Sequence, residues 1–360
     1  MPRRSGTGDG ADFVNRAAVA GDMSSVPVPS HCTDYSSVPL TRRSTELGAS
    51  PSTPDGWAAN RLTDAQVAHY NEHGWVSGVR ILSQAQVDAL LADVDQIAAG
   101  HEARGLLYEY HSNQSGDPNA VLMHALGQWR LTPRFHALAY HPAVTVAASQ
   151  LLGSTPLRLF HDQLFCKPAR VGGGVAWHQD YSYWTRTTPM QHVTVHVALD
   201  EQTADNGPLA FVSGSHRWQR ADGAPGPLPI VDENFADAEA ILGVLSAEQR
   251  ASFAPTAIRL KPGEASFHHP LTIHGSAPNR SDGPRRATVL NYFSDGTTSA
   301  TDEPLLPGAL APRGAPIRGR FFPLVYDPAW SCCEAEDLHA EERDNEAHCG
   351  CGPERRKSEG

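Results

Sequence analysis

The 360-residue sequence contains no apolar run approaching the roughly 20 residues that a helix needs to cross a bilayer, so no helical membrane span is expected. It also has no lysine- and arginine-rich cluster. Lys and Arg number 29 against 40 Asp and Glu, giving a formal net charge of −11. Neutralising nucleic-acid phosphates requires the opposite balance, which argues against a nucleic-acid partner. Cysteine is scarce where it could staple a fold. Only Cys32 and Cys166 precede Cys332, Cys333, Cys349 and Cys351, which crowd the C-terminus. A disulfide framework for the body is thereby excluded, and reduced thiols are expected. The basic opening, MPRRSGTGDGADF, is followed by no apolar h-region, so no secretory signal is expected and a soluble, cytoplasmic protein is the reading. Met23 is a second candidate start. There is no internal repeat.

With 40% hydrophobic residues, the chain can bury a sizeable core. Residues 1–58, rich in Ser, Pro, Thr and Gly without sustained periodicity, are expected to be a disordered leader, residues 59–328 the folded domain, and residues 329–360 a flexible Cys-rich tail. Within the domain, helical signals come first. Thr63 to Gln66 has capping-box form, and Gly74 closes that helix. Trp75 to Ile81 reads as a strand. Ser83 to Gln86 caps a longer helix carrying Val87, Leu90, Leu91, Val94 and Ile97 at helical spacing. Ala137 to Leu152 reads as a third helix. From residue 156 the pattern alternates instead: 157–167, 192–199, 256–260 and 287–293 read as strands, with a helical or irregular insertion over 232–250. Helices followed by many short strands predict a mainly β fold, a sandwich or barrel with flanking helices.

The stretch WHQDYSYW, Trp177 to Trp184, sets a histidine and a carboxylate two residues apart. Strand side chains two apart share a face, so His178 and Asp180 can aim at one point. Imidazole plus carboxylate suits Fe(II), Mn(II) or Zn(II). His274 ends a β-like run before a turn and can supply a third ligand. The set is then a 2-His-1-carboxylate facial triad, which leaves three cis positions open. Arg285 stands eleven residues beyond His274. A hairpin would return it to a neighbouring strand, where its guanidinium could clamp a carboxylate beside the Ser276 hydroxyl. Each feature alone is commonplace: a surface His-x-Asp, a turn histidine, a solvated Arg285–Arg286 pair. Their occurrence in this order carries the reading. Trp177, Tyr181, Tyr183 and Trp184 are candidate pocket walls or plain core. His268 and His269 are near the site without being chosen as ligands. Gly214 to His216 reads as fold support. The C-terminal cysteines with His348 match no closed zinc module well.

In its motifs the chain resembles the phytanoyl-CoA dioxygenase family of Fe(II)/2-oxoglutarate oxygenases over roughly residues 60–325. The motifs are Phe160-His-Asp-Gln-Leu-Phe-Cys-Lys-Pro168, Trp177-His-Gln-Asp180, Asn206-Gly-Pro-Leu-Ala-Phe-Val-Ser-Gly-Ser-His216 and His274-Gly-Ser-Ala-Pro-Asn-Arg-Ser-Asp-Gly-Pro-Arg285. The resemblance implies a double-stranded β-helix, a jelly-roll of cupin-like form, with Fe(II) held by His178, Asp180 and His274. It implies 2-oxoglutarate as co-substrate, its far carboxylate on Arg285 and Ser276, with Gln163 as a further contact. His196 stands where relatives often carry a tryptophan against 2-oxoglutarate. No lysine precedes His124-Ala125, where relatives often have one. The resemblance further implies oxidation of a small molecule by dioxygen, with succinate and carbon dioxide released. Related halogenases carry Ala or Gly in place of the carboxylate, so Asp180 points to hydroxylation or another oxidation.

Other readings use the same residues. The triad also serves desaturation, ring closure or epimerisation. A catalytically silent β-helix could act as a binding protein, though it would be free to lose the triad. A Zn or Mn hydrolase would leave Arg285 and Ser276 without a role. Substrate identity and oligomeric state are not written in the sequence.

Overall fold

Local caps set the N-terminal helices. The computed structural model describes residues 45–99, 107–231 and 238–332. It begins with α1 (Pro54–Ala58) and α2 (Asp64–His73). Thr63 and Gln66 cap α2 reciprocally, and Gly74 ends it with a left-handed φ of 82°. Strand β1 (Trp75–Arg80) follows, then α3 (Gln84–Ala99), which buries Val87, Leu90, Val94 and Ile97. A hairpin of β2 (Glu109–His111) and β3 (Met123–Leu126) comes next. The single helix expected over 137–152 is two, α4 (Pro133–Ala139) and α5 (Pro142–Leu151). Pro142 causes the break: it has no N–H to donate and its ring would strike the preceding turn, so it opens a new helix instead.

The β-rich part runs through β4 (Leu157–Lys167), β5 (Val175–His178), β6 (Thr187–Thr188), β7 (His192–Ala198) and β8 (Leu209–Val212). After the short α6 (Glu239–Gly243) and α7 (Ala247–Ala251) come β9 (Pro255–Ala257), β10 (Glu264–His268), β11 (His274–Ser276), β12 (Arg285–Ser294), β13 (Thr298–Ser299) and β14 (Leu324–Tyr326). The strand expected over 256–260 is only the short, exposed β9, although Ile258 and Leu260 are buried just beyond it. Eight strands form one antiparallel sheet in the order β1-β10-β7-β12-β4-β3-β2, with β14 also on β4. Four form a second sheet, β5-β11-β8-β9. Side chains of the large sheet reach across to the small one, as Lys167 does to Ser276. This is the double-stranded β-helix layout, with helices packed on the outer face of the large sheet.

That outer face carries the main core. Val193, Val195, Val197, Leu290 and Tyr292 meet Leu138, Val144 and Ala148 there. The packed region reaches past both expected edges of the domain. Leu47 and Trp57 are only 3% exposed, and Trp57 lies 5.5 Å from the ring of Tyr326, while Trp330 is 7% exposed. These large apolar side chains repay burial even inside a polar, Pro-rich stretch. The rest of the leader, residues 1–44, and of the tail, residues 333–360, lies outside the described residues. Among the described residues no helix is long and apolar enough to cross a membrane.

Candidate active site

His178 ends β5, Asp180 opens the short 3-10 turn Asp180–Tyr183, and His274 begins β11. In the small sheet His274 pairs directly with His178, so both imidazoles point the same way. The close approach of β11 to β5 requires Gly275: a Cβ there would sit 3.0 Å from the Trp177 ring and 3.1 Å from the Val175 carbonyl. Gln179, 2% exposed, pins the loop between the ligands. Its amide donates to the Leu271 carbonyl and accepts from the Leu228 N–H, each at 2.7 Å.

The ligand atoms of His178, Asp180 and His274 all lie within 4.8 Å of one another. Both imidazoles are oriented from behind. Nδ1 of His178 is 2.7 Å from the Ala176 carbonyl and Nδ1 of His274 is 2.9 Å from the Thr272 carbonyl. A ring that donates Nδ1–H to a carbonyl presents the lone pair of Nε2 forward, the tautomer a metal needs. The Nε2 atoms stand 3.4 and 3.6 Å from Asp180 Oδ1. Burial opposes a charge on Asp180, but His274, His178 and His268 around it hold its carboxyl well below the usual range. Burial also opposes charge on His178, and the hydrogen bond and charge of Asp180 outweigh it, raising that imidazole above its ordinary value. His274, buried beside His178, is held well below its ordinary value. The result is an ionised carboxylate ringed by imidazoles, a donor set suited to a borderline divalent cation.

Arg285 does not return as a hairpin partner of His274. The chain crosses from the small sheet to the large one, and β12 pairs with β4 and β7 instead. Arg285 nonetheless points into the barrel. It is 1% exposed, and its Nε and Nη2 have no hydrogen-bond partner. Burial pulls the guanidinium down to about 10. Directly across the β12–β4 pair stands Lys167, fully buried, whose Nζ donates to Ser276 Oγ at 2.7 Å and to the Ala277 carbonyl at 2.6 Å. Burial, then the neighbouring charge of Arg285, pushes Lys167 well below its usual value. Ser276, accepting from Lys167, keeps its own hydrogen free for another acceptor.

Gln163 and His196 share one rung of the large sheet with Val289 between them. Gln163 Oε1 is 3.0 Å from His124 Nε2, and His196 Nε2 accepts from the Gln202 amide at 2.7 Å. His196 is pushed well below its usual value by burial first and then by Arg285. The aromatics divide. Tyr183 meets His178 edge-on at 5.7 Å. Trp184 is core in a cluster with Phe160, Phe293 and Phe322, and Trp177 packs on Phe253, away from the ligands. Ser215 supports the fold by donating to the Val212 carbonyl and accepting from Ile273 N–H. Sequence reasoning did not nominate Lys167, although it shares strand parity with Gln163 on β4. It also missed Thr194, which donates to Asp180.

The family model described as "Phytanoyl-CoA dioxygenase (PhyH)" matches residues 70–287, more than half of the chain. The "Probable alpha-ketoglutarate-dependent hypophosphite dioxygenase" of Stutzerimonas stutzeri is 25% identical over 233 residues, covering 63% of this chain and 77% of that protein. The "Methylphosphonate hydroxylase" of Gimesia maris is 27% identical over 236 residues, covering 64% and 80%. Among solved structures, the epimerase SnoN in complex with Fe3+, alpha ketoglutarate and nogalamycin RO is 25% identical, with a TM-score of 0.59 over 75% of this chain and 99% of that one.

Proposed function

The chain belongs to the phytanoyl-CoA dioxygenase family and is an Fe(II)- and 2-oxoglutarate-dependent dioxygenase, and from that premise we propose that it hydroxylates a small molecule at the triad His178–Asp180–His274. In this reading those three residues hold the iron, and Arg285 with Ser276 receives the far carboxylate of 2-oxoglutarate. The observation that carries the reading is the pairing of a convergent triad with a buried guanidinium lacking any partner for two of its nitrogens. A buried cation left unpaired is costly, and a carboxylate ligand would relieve that cost with two-pronged hydrogen bonds.

When bound, iron and 2-oxoglutarate supply the oxidising chemistry, in which dioxygen is consumed and succinate and carbon dioxide are released. The chain's own residues bind and orient. Three protein donors on one side leave cis positions for co-substrate and dioxygen. Lys167 donates to the Ser276 oxygen and so leaves the hydroxyl hydrogen for the pocket. Gln163 and His196, on the rung between Arg285 and the triad, line the co-substrate's path. Tyr183, against His178, walls the substrate side and excludes water. The acidic net charge favours a small-molecule substrate over nucleic acid. The free thiol of Cys166 accords with a cytoplasmic location.

The test is anaerobic titration of purified protein with Fe(II) and then 2-oxoglutarate, followed by the weak visible charge-transfer band of the chelated 2-oxo acid. Wild type should develop the band, Asp180→Ala should lose it, and Arg285→Met should need far more 2-oxoglutarate. A protein that binds metal but never 2-oxoglutarate would sink the proposal. Product mass then separates outcomes: hydroxylation adds one oxygen, desaturation or ring closure removes two hydrogens, and epimerisation leaves the mass unchanged.

A further inference from the structure

Register in the large sheet aligns four polar residues in one rung: His161 on β4, Asn291 on β12, Thr194 on β7 and His268 on β10. Directly opposed residues share a face, so all four point into the barrel, and none is more than 4% exposed. Four buried polar side chains in a row demand a partner for what they face. They face Asp180. Thr194 donates to its Oδ2 at 2.6 Å, and His268 Nε2 stands 3.0 Å from the same oxygen. Asn291 Oδ1 lies 3.0 Å from the same Thr194 hydroxyl, whose single hydrogen goes to the nearer, charged acceptor on Asp180, and Asn291 Nδ2 lies 3.1 Å from His161 Nδ1.

His268 is close enough to the triad to look like a fourth ligand, since its ring centroid is 4.4 Å from that of His274. The two carboxylate oxygens decide otherwise. His178 and His274 approach Oδ1, whereas His268 and Thr194 approach Oδ2. Nδ1 of His268 has no partner, so the ring's hydrogen sits on Nε2, facing the carboxylate.

We propose that His268, acting with Thr194, is a positioning residue that confines Asp180 to one-oxygen coordination of the metal. Both donors occupy Oδ2, leaving Oδ1 alone to face the point where the imidazoles converge. A carboxylate free to chelate through both oxygens would consume one of the cis positions needed for co-substrate and dioxygen. The rung therefore keeps those positions open. The inference rests on the reading of the triad as the iron site.

The experiment is anaerobic titration with Co(II), whose visible spectrum reports coordination number, on wild type, His268→Phe, His268→Gln and Thr194→Val. Circular dichroism and a melt check folding in parallel. His268→Phe should weaken Co(II) binding roughly 10–100-fold, as loss of an outer-shell partner typically does, keep one metal per chain, and change the spectrum. His268→Gln, which retains a donor, should recover most of the affinity. Thr194→Val, nearly isosteric, should move affinity and spectrum in the same direction and carries the test should His268→Phe fail to fold. Wild-type affinity and spectrum in both His268→Phe and Thr194→Val would overturn the proposal. So would complete loss of metal in folded His268→Phe and His268→Gln alike, which would make His268 a ligand. Failure of wild type itself to bind Co(II) would instead overturn the metal-centre reading.

Discussion

Replacing Arg285 with methionine should stabilise the ligand-free protein while crippling its affinity for 2-oxoglutarate. Arg285 is 1% exposed and forms no ion pair among the described residues. Burial pulls the guanidinium down to about 10, which corresponds to about 3 kcal/mol of cost for keeping the charge. The folded protein holds this proton less tightly than the unfolded chain. The cost is therefore present in full at neutral pH. At neutral pH, methionine of similar length removes that cost, so unfolding of the ligand-free variant should shift upward by up to about 3 kcal/mol. The opposite effect appears with ligand. Two charge-assisted hydrogen bonds at about 1.5–3 kcal/mol each amount to roughly 3–6 kcal/mol, or about 10²–10⁴-fold in Kd. Thermal unfolding with Mn(II), with and without 2-oxoglutarate, reads both. Wild type should gain about 2.7 kcal/mol at a hundredfold excess over Kd, and the variant should gain almost nothing at the same concentration. A variant that is less stable without ligand and equally stabilised by 2-oxoglutarate would refute the argument.

Three further outcomes are expected. Lys167→Met should weaken 2-oxoglutarate binding by about tenfold, the worth of one oriented hydrogen bond, measured by the same charge-transfer titration. Gly275→Ala should cost about 1–3 kcal/mol through overpacking and loosen Mn(II) binding, because its Cβ would press on Trp177 and Val175 and spread the two ligand-bearing strands; denaturant melts and metal titration check both. His192, 1% exposed, is lowered by burial from 6.5 to about 3. The unfolded chain therefore takes up this proton first, and stability falls as pH drops from 6.5 towards 3, by up to about 5 kcal/mol for this group. His192→Leu should flatten the pH dependence of the urea midpoint over that window, and an unchanged slope would exclude His192 as a contributor.

Much of the site was legible because its chemistry is concentrated in short motifs. The two-residue spacing marks His178 and Asp180 as a pair, but β5 ends at His178, and the turn that Gln179 pins, rather than strand alternation, brings Asp180 beside it. Thr63, Gln66 and Gly74 announced their helix because capping is a local hydrogen-bond problem. The break at Pro142 is equally local, since a proline at the first helical position opens a helix, whereas the burial of Trp57 against Tyr326 needs contact between the two ends of the domain.

The sequence by itself determined the candidate donor types, two imidazoles and a carboxylate, and the family motifs, since these depend on residues near one another in the chain. Tertiary structure decided the rest. It put Arg285 in the opposite sheet from His274, facing Lys167 rather than forming a hairpin. It assembled His161, Asn291, Thr194 and His268 into one rung from four separate strands. Register between distant strands is set by the packing of whole sheets, and a one-residue slip would turn each of these side chains to the other face. Which oxygen of Asp180 meets the imidazoles and which meets the rung is therefore decided only once the barrel closes.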